Sequence, residues 1–591
     1  MIQIPGQNKQ FNQNNKSDIL GNIWSSFNLD LRSNFGRLRL SPRLMVSSST
    51  EFVATITSAP CAFKYFSIDG GTTYKYWTIA GTKVHSGSSS LQGSFTADLT
   101  SGSPTTCDTT LSDMELAYGN LYVTVNENKL YKLTSSGTWS NFALGSDISV
   151  PRMMTVYGGT LYVSADTNKI YNVTDADVVS TTGTTPKTLT IGTAGDESNL
   201  ITWIKAASNR IWIGTINRKG GKGAIHEWDG ASTQVSRTYR LESQGTLACV
   251  IKDDVPYVVD TNGKLLVPNG GTFQEIARLP TDNLFLTRAT VNVNNRFIHP
   301  NGMSVIDGRV CMLVNNLNGN STGTINENLP SGIWEYDPNI GLYHRYSPSY
   351  YDDDGDTTRD YGQNRVSVVG ALSDFKNFDA SASANGTFLA GITYYTDASS
   401  TRSAIFIDDS NDLVQKVGYF VTPWIDSSQI KDTWQKIWIT YRRFLDSNDK
   451  IVVKYRQNES SPTELSITWS ASDSFVSTTD LSSYVGYEVE VIQGEGSGIC
   501  THITSVTTVG SNYLVYVDET MPITNGSTAK IRLQNWKKIG VITGQIDESS
   551  ELALANAKDS ERIQVKVWMK FTGKDQLHTL NIINQPKQAL I

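Results

Sequence analysis

Gly119-Asn120-Leu121-Tyr122-Val123, followed by Lys129-Leu130-Tyr131, returns forty positions later as Gly159-Thr160-Leu161-Tyr162-Val163, followed by Lys169-Ile170-Tyr171. Each copy holds an apolar strand, a turn with glycine (Tyr118-Gly119; Gly158-Gly159), a second strand, a polar turn (Asn126-Glu127-Asn128; Asp166-Thr167-Asn168) and a third strand. The alternation has a period of two, so the apolar residues line one face of a strand and not of a helix. A sheet of three or four short strands cannot bury both faces alone. Repetition at about 40 residues says that neighbouring copies cover one another.

Weaker copies continue the register. Asn209-Arg210-Ile211-Trp212-Ile213 leads to Ala224-Ile225-His226-Glu227-Trp228-Asp229, and Asp254-Val255-Pro256-Tyr257-Val258-Val259 leads to Gly263-Lys264-Leu265-Leu266-Val267. Asp307 to Leu313 leads to Gly332-Ile333-Trp334-Glu335-Tyr336-Asp337, and Asn385 to Ala390 leads to Ala404-Ile405-Phe406-Ile407-Asp408. With an earlier unit over Cys61 to Val84 there are about seven, which predicts an all-β chain with a β-propeller of about seven blades over 49–417. The third strand with its Trp/Tyr-Asp turn resembles kelch-type units. Ser67-Ile68-Asp69-Gly70-Gly71-Thr72-Thr73-Tyr74 resembles the Asp-box hairpin of sialidase-like propellers, in which Asp and Ser cap backbone amides.

The pattern changes near Gly418. Trp434 to Tyr441, Lys450 to Arg456, Ile539 to Ile546 and Arg562 to Met569 alternate as strands of a β-sandwich, placed at 418–472 and 531–591. Tyr484 to Ile492, Cys500 to Ser505 and Tyr513 to Val517 lie between its halves, so 473–530 reads as an inserted small β-barrel. Residues 1–48 are polar and weakly periodic, and predict an extended N-terminal arm that orders against a neighbouring subunit.

The formal charge of −7 gives no global reason to bind DNA or anionic membrane. Met1 to Ser17 lacks the apolar centre of a signal peptide, and no apolar run reaches the length of a membrane span, so synthesis in a cytoplasm is expected. Five scattered cysteines with no CxxC spacing argue against a disulfide framework and a zinc site.

Residues with potential chemistry are few. The histidines, His85, His226, His299, His344, His502 and His578, show no HxH or HExxH spacing, and packing roles are expected for them. Arg218-Lys219-Gly220-Gly221-Lys222-Gly223 lacks the GK[ST] ending of a phosphate loop. It reads as a flexible blade loop, with a basic tip that touches DNA or an acidic neighbouring subunit as the sharper alternative. Tyr350 to Asp356 is the densest acidic stretch, and Asp352, Asp354 and Asp356 are a weak calcium candidate. Counted from Asp352, the Gly and Glu that an EF-hand needs at loop positions six and twelve are Thr357 and Gln363, so a solvated loop is the simpler reading. No catalytic residue, cofactor site or firm metal site is assigned, and a non-enzymatic role is expected.

Three segments resemble virion proteins of tailed bacteriophages. They are Asn22 to Asp30 with Gly36-Arg37-Leu38-Arg39-Leu40-Ser41-Pro42-Arg43, the Thr422-Pro423-Trp424 junction with Trp434-Gln435-Lys436-Ile437, and the Gly494-Glu495-Gly496-Ser497-Gly498 turn. The resemblance implies a structural tail protein, a nozzle or hub, in a homo-oligomeric ring around the DNA exit channel. By analogy with short-tailed phages the first expectation is six copies, beside other tail or portal-proximal proteins, with genomic DNA passing transiently. The alternative is a host receptor- or glycan-binding tail adhesin, and a glycan-cleaving enzyme stands behind both.

Overall fold

The computed structural model describes residues 25–586 apart from 28, 31–37, 42–43, 47–57, 88–94, 111, 145–149, 166–167, 180–188, 193–198, 281–296, 316–329, 339–340, 348–365, 375–387, 396–400, 409–416, 427–431, 442–443, 445–448, 459–462, 497–498, 522, 544–548, 554–561 and 572–575. Asp352, Asp354 and Asp356 lie outside the described residues. Apart from the 3-10 turn Ser482–Tyr484, every regular element described is a strand, and no described helix is long and apolar enough to cross a membrane.

Seven four-stranded antiparallel sheets form the propeller. Six of them are continuous in sequence, at 63–97, 114–143, 151–190, 199–240, 246–278 and 303–346. The seventh holds Val366–Asp374, Phe388–Tyr395 and Thr401–Asp408, with Leu44–Val46 as its outermost strand. The two ends of the propeller segment therefore meet in one sheet and close the ring.

The repeat maps onto this ring. Tyr122 and Tyr162 are each the third residue of the second strand in blades two and three. Each reaches the following blade, Tyr122 donating to Asp177 Oδ1 at 3.1 Å and Tyr162 to the Gly230 carbonyl at 2.9 Å. Leu130 and Ile170 occupy equivalent third-strand positions, both fully buried. In the Asp box, the Asp69 carboxylate accepts the amides of Thr72 and Thr73 at 3.0 and 2.7 Å, and Gly70 and Gly71 take φ of 75° and 96°. The box is a turn, held by donors that a backbone reversal leaves unpaired.

The segment 1–48, read from its composition as an extended arm, is drawn into both domains over its described part. Ser25–Phe27 pairs with Val417–Val421, Leu29–Asp30 with Leu38–Leu40, Leu38–Leu40 with Gln576–Pro586, and Leu44–Val46 with Thr401–Asp408. These strands are two or three residues long, too short to show a period, yet Phe27, Leu29, Leu40 and Leu44 are core residues. The first strand also joins the domains. Ser26 Oγ accepts the His344 amide of blade six at 3.0 Å, and the Phe27 ring stacks on His344 and on Tyr419 of the sandwich.

One sandwich sheet runs Ser25–Phe27, Val417–Val421, Arg562–Lys570, Lys450–Arg456, Thr528–Thr543, and the other runs Leu29–Asp30, Leu38–Leu40, Gln576–Pro586, Asp432–Tyr441, Ser549–Ala553. Leu29, Leu40, Ile437, Ile439, Ile451, Val453, Val565 and Val567 fill the space between them. Thr463–Ala471, Ser474–Ser477, Asn512–Val517, Cys500–Val509, Tyr487–Gly494 and Thr528–Thr543 close into a six-stranded barrel, since the last pairs with both the first and Tyr487–Gly494. The barrel thus extends beyond 473–530 on both sides. Its long strand serves two units, Lys530 to Leu533 in the barrel and Lys537 to Thr543 in the sandwich, so no break in composition marks the boundary.

Candidate functional site

The propeller axis carries a polar cluster. Asn301 lies just before the inner strand of blade six, and its Nδ2 donates to Asp113 Oδ1 at 2.8 Å and to the Cys61 carbonyl at 3.2 Å. Lys205 of blade four donates to Asn301 Oδ1 at 3.3 Å. Blade six thereby touches blades one, two and four, which in a ring of seven is possible only across the centre. His299 Nδ1 accepts the Asn301 amide, so its Nε2 carries the proton and donates to the Thr109 carbonyl at 3.1 Å. Lys64 pairs with Glu115 at 2.8 Å beside this group.

Asp113 also accepts the Met154 amide of blade three at 3.0 Å. Burial pushes its carboxyl above the ordinary range, against the pull of Lys205 and Lys64. Its role is to satisfy donors from two other blades. Asp113→Ala leaves the Met154 amide and one of the two Asn301 Nδ2 protons without an acceptor, at an expected cost of about 1–3 kcal/mol. Urea unfolding followed by circular dichroism measures it, and an unchanged midpoint would show that water takes over both bonds.

The inner strands are also stitched in sequence. Thr155 Oγ1 accepts the Ala206 amide, Trp203 donates to Thr246 Oγ1, Ser304 Oγ accepts the Asp374 amide, and the Pro60 carbonyl accepts the Ala371 amide. Arg210, Glu227 and Tyr239 form a triad within blade four at 2.8 and 2.5 Å, and Arg309, Glu335 and Tyr343 repeat it in blade six at 3.3 and 2.5 Å. The signal was in the sequence, an Arg opening the second strand and a Glu before Trp/Tyr-Asp in the third, but it is structural.

A second polar centre lies where the barrel meets the sandwich. Val565 and Val567 face the sandwich core, so Gln564, Lys566 and Trp568 face the other way, as do Lys454 and Arg456. The barrel covers that face with Glu488 and Glu490 from one strand and Arg532, Gln534 and Trp536 from another. Glu488 holds Lys454 through Oε2 and Lys566 through Oε1, the latter at 2.6 Å, with all three at 2% exposure or less. Arg456 lies 4.5 Å from the Trp536 ring, Arg562 4.3 Å from Trp424, and Lys566 4.4 Å from Tyr419. Cations and rings alternate along the layer, an arrangement that gains strength as water is excluded. The Thr422-Pro423-Trp424 junction belongs to it, since Gln564 donates to the Thr422 carbonyl at 2.8 Å. A seam of this kind selects one docking orientation, because a shifted barrel would leave buried charges without partners.

The described histidines serve the fold. His85 and His344 bond the Ala80 and Ser331 carbonyls, His226 bonds Thr238, and His502 meets Asp518. Burial brings His85 and His226 down to about 4 and His344 to about 3. His578 lies in the strand Gln576–Pro586. All five cysteines are buried free thiols, and burial raises Cys107 and Cys500 to about 12, far from a reactive thiolate. Among the described residues no three His, Cys, Asp or Glu side chains group as a metal site would need.

The turn 218–223 links the second and third strands of blade four, with Arg218, Lys219 and Lys222 exposed. It is not slack. Asn217 Oδ1 accepts the amides of Lys219 and Gly221 at 2.9 and 3.2 Å, and the Gly223 amide is tied to the Ser243 carbonyl at 3.0 Å.

No family model and no curated protein matches this chain. Solved structures similar to it include the BBS1 N-terminal domain in complex with ARL6, at 12% identity and a TM-score of 0.37, covering 63% of this chain and 97% of that one. The Neurospora crassa Pan2 WD40 domain is similar at 10% identity and a TM-score of 0.36, covering 63% and 97%. The computationally designed Ika8 protein is similar at 15% identity and a TM-score of 0.32, covering 61% and 99%.

Proposed function

We propose that the protein is a non-enzymatic structural component of a tailed-phage particle, a nozzle or hub of the tail whose copies form a ring around the DNA exit path. The resemblance of Asn22 to Arg43, Thr422 to Ile437 and Gly494 to Gly498 suggests the particle. The observation that carries the structural role is the cross-bracing. Ser25–Phe27 ties blade six to the sandwich, Leu38–Leu40 pairs with the far C-terminal strand and Leu44–Val46 closes the propeller, so pulling on one domain loads the others. The buried ionisable groups described above hold strands, blades and domains together.

The axis of each propeller is crossed by Asn301, so DNA in such a ring passes between copies and not through a propeller. Tail parts close as rings through heterologous contacts, and six copies is the working number. The formal charge of −7 suits a wall that repels the duplex over most of its area. Mass spectrometry of purified particles with cryo-EM of their tails tests this. The expected result is a cyclic ring at the tail axis. Copies confined to fibre tips would favour the receptor- or glycan-binding adhesin, and absence from particles would reject the proposal.

A further inference from the structure

We propose that the turn Arg218–Gly223, together with Arg240, is a contact for the phosphate backbone of duplex DNA. This deepens the tail-channel reading and rests on it for the source of the duplex. Arg218, Lys219, Lys222 and Arg240 are all exposed. Arg240 pairs in register with Ala224, and the Leu241 amide donates to the Gly223 carbonyl at 3.0 Å, so the fourth cation sits at the base of the turn. None of the four has a carboxylate partner among the described residues. The nearby acids are turned elsewhere, Glu242 to Lys264 at 3.5 Å and Glu227 to Arg210 and Tyr239 at 2.8 and 2.5 Å.

The tip is held in place before anything binds. The Asn217 carbonyl accepts Gln244 Nε2 at 2.7 Å and the Gly220 amide at 3.2 Å, and the Asn217 amide donates to the Gln244 carbonyl at 2.9 Å. At the neck, a Cβ on Gly223 would lie 2.3 Å from Gly245 Cα and 2.5 Å from the Gln244 carbonyl, so only glycine lets the two backbones approach. The amides of Lys219, Gly220, Gly221 and Gly223 are spent inside the turn, which leaves the cationic side chains to make the contact. The backbone that carries them is ordered already, so binding has only the side chains left to order.

The surroundings decide the class of partner. A protein partner calls for an apolar centre within the patch, and none of the exposed large hydrophobic residues described lies in blade four or five. The same lack of exposed rings argues against single strands, which bind by stacking bases on aromatic side chains. Four clustered cations without an apolar centre fit phosphates, read for charge and not for sequence.

Fluorescence anisotropy with the full chain and a short labelled duplex of mixed sequence tests this. Four phosphate contacts predict a slope of log K on log salt of about −3.6, hence roughly 150-fold weaker binding at 200 mM than at 50 mM. The variant R218S/K219S/K222S/R240S is expected to lose binding at 50 mM salt. Lys222→Ser alone, expected to reduce the slope by about 0.9, keeps the test valid where the fourfold change disturbs the blade. No binding by the unmodified chain at 50 mM, or unaltered binding by both variants, overturns the proposal. So does binding to an acidic peptide but not to the duplex. Absence of the protein from particles would reject the tail reading and leave the DNA result standing, which separates the two failures.

Discussion

Glu488→Ala is expected to destabilise the C-terminal half by about 3–5 kcal/mol, the cost of leaving buried charges without their partner. The substitution strands two ammonium groups, Lys454 and Lys566, under Trp568, Tyr419 and Trp536. Replacing the whole triad by apolar residues of similar size, E488L/K454M/K566M, is expected to be neutral or stabilising by about 1–4 kcal/mol, because desolvation of three ions disappears with their attraction. Urea unfolding followed by tryptophan fluorescence separates the two, since Trp536 and Trp568 sit in the layer. The pH dependence has a definite sign. Burial alone would push the Glu488 carboxyl up, but the two ammonium groups outweigh it and bring it down to about 2. Its contribution is present above the ordinary carboxylate pKa near 4.5 and disappears as the pH falls through about 2. A Glu488→Ala chain as stable as the original, or a triple variant as damaged as the single one, would count against this account of the seam.

Removal of residues 1–46 is expected to abolish cooperative folding. Phe27, Leu29, Leu40 and Leu44 are each 2% exposed or less, and full burial of such side chains contributes about 1.5–3 kcal/mol apiece, together about 6–12 kcal/mol. That is comparable with the whole stability of a typical domain. The deletion also leaves Thr401–Asp408 and Val417–Val421 as open edges, which recruit other chains. Fractionation of the truncated chain should find it in the aggregate, and co-expression of the segment 1–46 should restore soluble protein. A soluble truncated chain with an unchanged melting temperature would mean that these short strands are dispensable.

The propeller was legible because its strands are long enough to alternate and its units repeat. Tyr122 and Tyr162 mark the register with the same residue at the same place. The four N-terminal strands were not legible, since two or three residues show no period and the partners of three of them, Val417–Val421, Gln576–Pro586 and Thr401–Asp408, lie hundreds of positions away. The axial cluster was hidden for a related reason. Asp113, Lys205 and Asn301 belong to different blades, and only the closed ring brings them together. The basic turn was visible as composition, but its rigidity depends on Asn217, Ser243 and Gln244, which look unremarkable in a linear reading. Lys454, Arg456 and Lys566 fall on the polar positions of alternating strands, and nothing local to those strands says that the barrel covers that face.

The closing strand also sets a timetable. Leu44–Val46 leaves the ribosome about 360 residues ahead of its partner Thr401–Asp408. At about 5–20 residues per second the short strand waits on the order of 20–70 seconds before a complete seventh blade can exist. Leu38–Leu40 waits longer still, for Gln576–Pro586 at the other end of the chain. Through that interval blades one to six stand as an open arc whose last faces have no neighbour, and the ring can close only once Thr401–Asp408 has been made.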